Sequence, residues 1–252
     1  MPRWDIAQTR SLVSAEFGVA QVERMRHCLR SVCERQRHAR FHFQEARRLM
    51  QGHIDARLPH ESIYQITWPT QAKDRIAFDN CFMKVEAHVI ACAQATHALA
   101  DNLAHVAYFA LGVNLSPHAL GESQVTLHRV ISVLAAHFRL CDAVTEVLRE
   151  LTAESAFQSI DAFVNTTKHR GFAETRISVD HDDGQIPYKL EFGSFEYRET
   201  THPERDIEKV LLPSYAKVSQ AVVCCGNAIN AVLFSSYARS LRSSGLAPQL
   251  KP

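Results

Sequence analysis

A group of polar and basic side chains ends an otherwise apolar helical segment near residue 170. Asp161, Asn165 and His169 are spaced four residues apart, so they share one face of an α-helix. Lys168 and Arg170 flank the histidine in the chain. A neutral imidazole can act as a general base, and two adjacent cations can bind a phosphate and stabilise charge that develops on it. These residue types indicate phosphate binding by Lys168 and Arg170 beside a base, His169.

The same residues also fit a purely structural role. Cations in the last turn of a helix complement the negative end of the helix dipole and hydrogen-bond its unpaired carbonyl groups. The C-terminal end of a helix offers no backbone N–H groups to an anion, so the side chains would have to bind it themselves. Both interpretations stay open at the level of the sequence.

The segment from Asn165 to His169 resembles part of the motif of the HEPN superfamily, helical bundles that include RNA-cleaving toxins and defence proteins. The family signature has an Arg four to six residues before a His, often with Asn directly after the Arg. Asn165 and His169 match this spacing, whereas Val164 occupies the Arg position, for which Lys168 or Arg170 would have to substitute. The resemblance covers this short motif and a bundle-like helix pattern. It implies a base role for His169, a positioning role for Asn165, and RNA as the partner.

Arginine and histidine occur at a similar spacing elsewhere in the chain, as expected by chance for so short a motif. Arg37 and His42 stand out because they lie on a predicted helix rich in arginine. We therefore take these two residues as a reserve site.

His97, Asp101 and His105 are also spaced four residues apart on a predicted helix. Such a row of imidazole and carboxylate groups could bind a metal if another helix completed the shell. His128 and His137 on the next predicted helix are isolated candidates for that role. We predict no metal site and no cofactor, and we keep a metal-dependent hydrolase as the third functional hypothesis.

Composition and charge restrict the class of protein. The chain has 252 residues with 46% hydrophobic and 22% charged, enough to bury a substantial core. Its 28 Lys and Arg nearly balance 27 Asp and Glu, so no bulk attraction to nucleic acid or membrane is expected. The start of the chain lacks the apolar stretch of a secretory signal, which predicts a cytoplasmic protein without membrane contact. The seven cysteines are odd in number and favour buried reduced thiols.

Hydrophobic periodicity predicts long helices joined by modest loops. A β-hairpin is expected within about 173–200, with its turn at Asp182-Asp183-Gly184 and its apolar face on the helices. It is expected to continue through Phe195 and Tyr197 after a bulge at Gly193. Asn227 and Asn230, with Gly226, lie in an apolar stretch and are interpreted as structural, for close packing or buried hydrogen bonds. The first predicted helix begins after Ser14 and ends near Gly52, and the second spans about 82–113. The third spans 123–153 with Ser123 as its cap, and the fourth spans 155–170 with Gly171 as its stop. The last begins after Pro213-Ser214, and a frayed tail is expected from about 243.

These elements predict a mainly α protein: a single domain over residues 1–252, an antiparallel bundle of long helices with a β-hairpin inserted before the last helix. The leading functional hypothesis is a HEPN-like RNA-interacting protein of the metal-independent toxin or defence ribonuclease type. The alternative is a non-catalytic interaction or oligomerisation module whose apolar helical seams bind a second copy or a partner protein.

Overall fold

A computed structural model of the chain describes residues 3–171, 174–179 and 188–243. Helices dominate these residues, so the prediction of a mainly α fold is confirmed. The helices are Ile6–Phe17 (α1), Val19–Asp55 (α2), Ile63–Thr67 (α3), Ala72–Ala110 (α4), Leu127–His137 (α5), Asp142–Ala153 (α6), Ser155–His169 (α7) and Ile207–Ser243 (α8).

The strands lie between α7 and α8, where the sequence predicts a hairpin. β1 (Thr175–Val179) pairs antiparallel with β2 (Tyr188–Phe192), which also pairs with β5 (Arg205–Asp206). β3 (Phe195–Tyr197) and β4 (Thr200–His202) form a separate antiparallel pair. The hairpin is confirmed in β1 and β2, but its predicted continuation through Phe195 is wrong because that segment pairs with β4. The predicted hairpin turn lies outside the described residues.

Contacts divide the chain into two compact units. Unit 1 comprises the described chain up to Glu34, Ala98–Ala153, and the described chain from Lys217 onward. Unit 2 comprises Arg35–His97 and the described part of 154–216. The helices α2, α4 and α8 contribute residues to both units. The single domain over residues 1–252 stays a prediction.

The first predicted helix is divided at Gly18. α1 begins at Ile6 because Asp5 caps it, with Asp5 Oδ1 accepting from the backbone N–H of Gln8 at 2.9 Å. Gly18 has φ of 85°, a value that other residues rarely adopt, and its N–H donates to the Ser14 carbonyl. The predicted start after Ser14 is therefore wrong, and α2 is the long helix that follows the break.

The predicted helix over 123–153 is also divided. Thr126, not Ser123, caps α5 and accepts from the Arg129 N–H at 3.4 Å. Phe138 has φ of −129° and ψ of 66°, outside the helical region, and a short 3₁₀ turn precedes α6. The apolar periodicity continues across this break, so the pattern alone does not reveal it.

Two other long helices begin earlier than predicted. α4 begins at Ala72, ten residues before Phe82. α8 begins at Ile207 because Asp206 Oδ1 accepts from the N–H groups of Glu208 at 2.8 Å and Lys209 at 3.2 Å. Pro213 lies inside α8, although proline removes a helical hydrogen bond and usually marks a boundary. The predicted tail beyond residue 243 lies outside the described residues.

In unit 1 the start of the chain packs on α8. Trp4 Nε1 donates to Thr9 Oγ1 at 2.8 Å, and the Thr9 hydroxyl lies 2.6 Å from Asn230 Oδ1. Asn230 Nδ2 donates to the Asp5 carbonyl at 3.0 Å. A Cβ at Gly226 would lie 2.0 Å from Trp4 Cδ2, so only glycine admits the indole there. The structural interpretation of Gly226 and Asn230 is confirmed.

Unit 2 has an apolar core to which both helices and strands contribute. Met50, Ile54, Ile160 and Leu211 are almost fully buried in it. The Phe163 ring lies 4.3 Å from the Phe192 ring in β2, measured between centroids. The strands therefore pack on the helices, as the sequence predicts, and they fix the end of α7 next to β3.

Within the part of the chain that the structure describes, one helix is long and apolar enough to cross a membrane by length and composition. It is the part of α8 from Ile207 to Arg239, with a mean hydropathy of 1.4 over its most apolar stretch. Of that stretch, 44% is buried within the protein, including Val218 and Ile229. Core helices of soluble proteins share these properties, so this helix gives only weak support for membrane insertion, and the cytoplasmic location stays a prediction.

Candidate functional site

The three basic residues at the end of α7 are all exposed. Phe163 and Val164 are buried, which directs the opposite face of α7 outward. The helix ends where the N–H groups of Arg170 and Gly171 both donate to the Thr166 carbonyl, at 2.9 and 3.1 Å. Lys168, His169 and Arg170 follow one another at this end and lie at the protein surface. The predicted stop at Gly171 is confirmed.

The turn between β3 and β4 adds an aromatic ring and a further cation to this surface. The guanidinium carbon of Arg170 lies 5.2 Å from the centroid of the Tyr197 ring, and that of Arg198 lies 5.0 Å from it. Such cation–π contacts hold a guanidinium by its plane and leave its N–H groups at the edge. We call Lys168, His169, Arg170, Tyr197 and Arg198 the basic cluster. Two carboxylates, Glu196 and Glu199, neighbour it in the chain.

Tyr197 and Arg198 were not predicted as site residues, because this segment was expected to continue the hairpin. Arg198 and Glu199 both have positive φ, 49° and 64°, and form the tight turn between β3 and β4. Neither residue is a glycine, so the usual turn signal is absent. The sequence carried one usable sign, an aromatic residue directly followed by an arginine.

Asn165 is hydrogen-bonded within the helix. Its Nδ2 donates to both the carbonyl oxygen and Oδ1 of Asp161, each at 2.9 Å. Among the described residues, no hydrogen bond joins Asn165 to His169. Asn165 therefore fixes the Asp161 side chain, while its predicted role in positioning His169 stays a prediction.

Asp161 also binds His97, which the sequence analysis considered as a metal ligand. His97 Nε2 lies 2.8 Å from Asp161 Oδ1, and its ring stacks on Phe157 with an interplanar angle of 1°. His97 Nδ1 is buried and has no hydrogen-bond partner in the described part of the chain. A general base needs a nitrogen that a substrate can reach, so this pair is unsuited to catalysis. Its hydrogen bond links α4 to α7.

Asp101 and His105, the other two residues of the predicted row, have structural partners. Asp101 Oδ1 accepts from the Leu127 N–H at 3.2 Å, and His105 Nδ1 donates to the Asp101 carbonyl at 2.9 Å. Across residues 3–171, 174–179 and 188–243, no group of three or more His, Cys, Asp or Glu side chains is placed to hold a metal ion.

The reserve histidine, His42, pairs with a residue that the sequence analysis did not select. His42 Nδ1 lies 2.8 Å from His88 Nδ1 of α4, and the His38 ring lies 6.5 Å from the His42 ring. Arg37 is exposed on α2 and lies five residues before His42. In an α-helix this spacing places the two side chains about 140° apart around the axis, on different faces. The spacing His38-x-x-x-His42 was the sequence signal for this cluster.

No protein-family model matches this sequence, and neither a curated protein nor a solved structure is significantly similar to the chain. The resemblance to the HEPN superfamily therefore depends on the residues of α7 alone. It stays a prediction.

The cysteines are reduced and differ in exposure. Cys92, Cys141 and Cys225 are buried, and burial raises the pKa of their thiols to about 12, 11 and 12. Thiols with such pKa values are poor nucleophiles at neutral pH. Cys33 and Cys224 are exposed, so the expectation that all seven thiols are buried is wrong.

We expect the protein to lose stability as the pH falls below about 6.5, the usual pKa of histidine. Burial, His88 and His38 lower the pKa of His42, so the unfolded chain takes up this proton before the folded protein does. The contribution of His42 to the free energy of unfolding is complete above the pKa that this histidine has in the unfolded chain. It declines as the pH falls and is lost once the pH passes the lower pKa of the folded protein. Burial similarly lowers the pKa of His53 and His202.

Urea unfolding between pH 7.5 and 5.0 measures this effect. His42→Asn should show a shallower decline of the unfolding free energy than the wild type. His60→Asn, at an exposed position of unit 2, is the matched control and should follow the wild-type curve. Equal slopes for His42→Asn and the wild type would contradict the assignment.

Proposed function

We propose that this chain is a HEPN-like protein that binds single-stranded RNA at the basic cluster and cleaves it without a metal ion. The observation that carries the proposal is the position of Tyr197 in contact with both Arg170 and Arg198, beside His169 at the exposed end of α7. Single-stranded nucleic acids bind surfaces that combine cations for the phosphates with aromatic or guanidinium planes for the bases.

The charges of the cluster favour a phosphate. Lys168, Arg170 and Arg198 supply three basic side chains, against two neighbouring acidic residues, Glu196 and Glu199. The helix end supplies no N–H groups to an anion, so binding has to come from the guanidinium and ammonium groups. Because the formal charge of the whole chain is only +1, this attraction is local and should weaken markedly with salt.

His169 supplies the base for the proposed cleavage. It accepts the proton of a ribose 2′-hydroxyl, and the 2′-oxygen forms a bond to the adjacent phosphorus. The bond from phosphorus to the 5′-oxygen breaks, and that oxygen takes a proton from water. Lys168 and Arg170 stabilise the charge on the phosphoryl oxygens. The products are a 2′,3′-cyclic phosphate and a free 5′-hydroxyl, and DNA is spared because it lacks the nucleophile.

We expect Arg170→Gln combined with Arg198→Gln to weaken RNA binding about tenfold at 0.1 M salt and to reduce the salt slope by about 1.4, or 0.7 per phosphate contact. Fluorescence anisotropy of a labelled single-stranded RNA measures both quantities. Arg40→Gln, an exposed arginine of α2 outside the cluster, is the matched control. The binding proposal fails if the double variant and the Arg40 variant bind RNA equally well.

Cleavage is measured on the same RNA with EDTA present, beside DNA of the same sequence. His169→Ala should bind the RNA but leave it intact, and its circular dichroism spectrum should match that of the wild type. Cleavage that persists in the folded His169→Ala protein would contradict the base role.

A protein that neither binds nor cleaves RNA would fit the second candidate function, a helical interaction module. Ile76 and Met83 favour it, because they lie seven residues apart on α4 and are 62% and 59% exposed. Self-association would appear as a sedimentation coefficient that rises with protein concentration.

A further inference from the structure

A cavity of about 420 Å³ lies within unit 2 and shares no residue with the basic cluster. Its volume is in the range of small-molecule sites. Residues of α2, α4, β2, β5 and the first turns of α8 line it.

The inner part of the cavity is apolar. Ala46, Val89 and Leu211 are buried and contribute aliphatic surface, and the rings of Phe43 and Tyr188 add aromatic surface. Burial of a ligand's hydrocarbon part against these groups would be favourable in proportion to the apolar area removed from water.

The charged residues of the lining leave an excess of positive charge. Arg47, Arg48, Lys189 and Lys209 face two carboxylates. Glu208 accepts from Arg47 at 3.1 Å, and the charge of Asp206 is engaged by the N–H groups at the start of α8. Arg48 pairs with Glu45, which lies outside the lining, at 2.7 Å. Within the lining itself four cations oppose two carboxylates, and two further carboxylates, Glu45 and Asp55, lie next to it.

Tyr188 adds a hydrogen-bond donor between the apolar and charged parts. Burial raises the pKa of its phenol to about 12, so the hydroxyl group stays protonated at neutral pH. It donates to Gln51 Oε1 at 3.4 Å, a long bond that a better acceptor can replace. A carboxylate oxygen is such an acceptor.

We infer that this cavity binds a small amphipathic carboxylate, with its hydrocarbon chain on Phe43 and Leu211 and its carboxylate near Tyr188 and Lys209. The apolar interior excludes ligands that are charged throughout, and the excess positive charge disfavours an amphipathic cation. The inference is independent of RNA binding, because the two sites are formed by different side chains.

The test uses decanoate, below its critical micelle concentration, and measures its binding to the full-length protein by isothermal titration calorimetry. Decanoate should bind at one site, whereas decyltrimethylammonium should not, and decan-1-ol should bind about tenfold more weakly. Equal binding of decanoate and decan-1-ol would overturn the role of the carboxylate.

Two variants locate the site. Gln51→Trp places a large ring at an exposed lining position and should abolish decanoate binding, and Lys209→Glu should weaken it at least tenfold. Arg40→Glu, on the exposed face of α2 outside the lining, should leave it unchanged. Absence of decanoate binding to the folded wild type, or binding that both lining variants retain, would overturn the proposal.

Discussion

Gly226→Ala is expected to lower the free energy of unfolding by about 2 kcal/mol. The new Cβ would lie 2.0 to 2.3 Å from three atoms of the Trp4 indole, so the ring must leave α8. Loss of a large aromatic contact costs about 3 kcal/mol or more, and the better helix propensity of alanine returns up to about 1 kcal/mol. Urea unfolding followed by far-ultraviolet circular dichroism measures the difference.

Gly52→Ala is the matched control, because a Cβ at this position of α2 meets no atom within 4 Å. It should stabilise the protein by about 0.5 to 1 kcal/mol, opposite in sign to Gly226→Ala. In a Trp4→Ala background, the cost of Gly226→Ala should disappear, since the clashing ring is gone. A cost that persists without Trp4 would place the defect elsewhere in α8.

Asp161→Ala should destabilise the protein by about 2 kcal/mol, because it leaves a poorly exposed imidazole without an acceptor. His97 already has one buried nitrogen with no partner in the described chain, and the substitution removes the partner of the other. A buried polar group that loses its hydrogen bond costs about 1–3 kcal/mol. Urea unfolding measures this effect at pH 7.5.

Asp161→Asn separates the hydrogen bond from the charge. It retains an acceptor oxygen for His97 Nε2 and should recover at least half of the loss. Asn165→Ala removes only a donor to Asp161 and should cost less than either. RNA binding should be unchanged in all three variants, because none of them alters the basic cluster. If Asp161→Ala is as stable as the wild type, the hydrogen bond between Asp161 and His97 does not stabilise the protein.

Periodicity predicted the helical elements well and their ends less well. α7 was predicted to within one residue, because an amphipathic pattern and Gly171 bound it clearly. The break at Gly18 and the early start of α8 were missed, because both depend on backbone geometry and on capping by Asp206, which apolar spacing does not record. Pro213 gave a misleading boundary, since it lies inside α8.

The candidate site was predicted only where its residues are adjacent in sequence. Lys168, His169 and Arg170 follow one another, so their exposure at a helix end could be inferred. Tyr197 and Arg198 join them through the packing of β3 beside α7, a contact between segments nearly thirty residues apart. The pairing of His42 with His88 crosses two helices, and no single-sequence pattern specifies which faces of two helices meet.

The backbone of Arg198 has a consequence for attempts to stabilise this protein. An arginine with φ of 49° occupies a conformation in which glycine or asparagine would be about 1 kcal/mol more stable. The turn thus gives up local stability in order to hold a guanidinium against Tyr197. Designs that replace turn residues by their most stable counterparts would select Asn-Gly here, and a more thermostable variant obtained in this way would be the first to lose the proposed RNA surface.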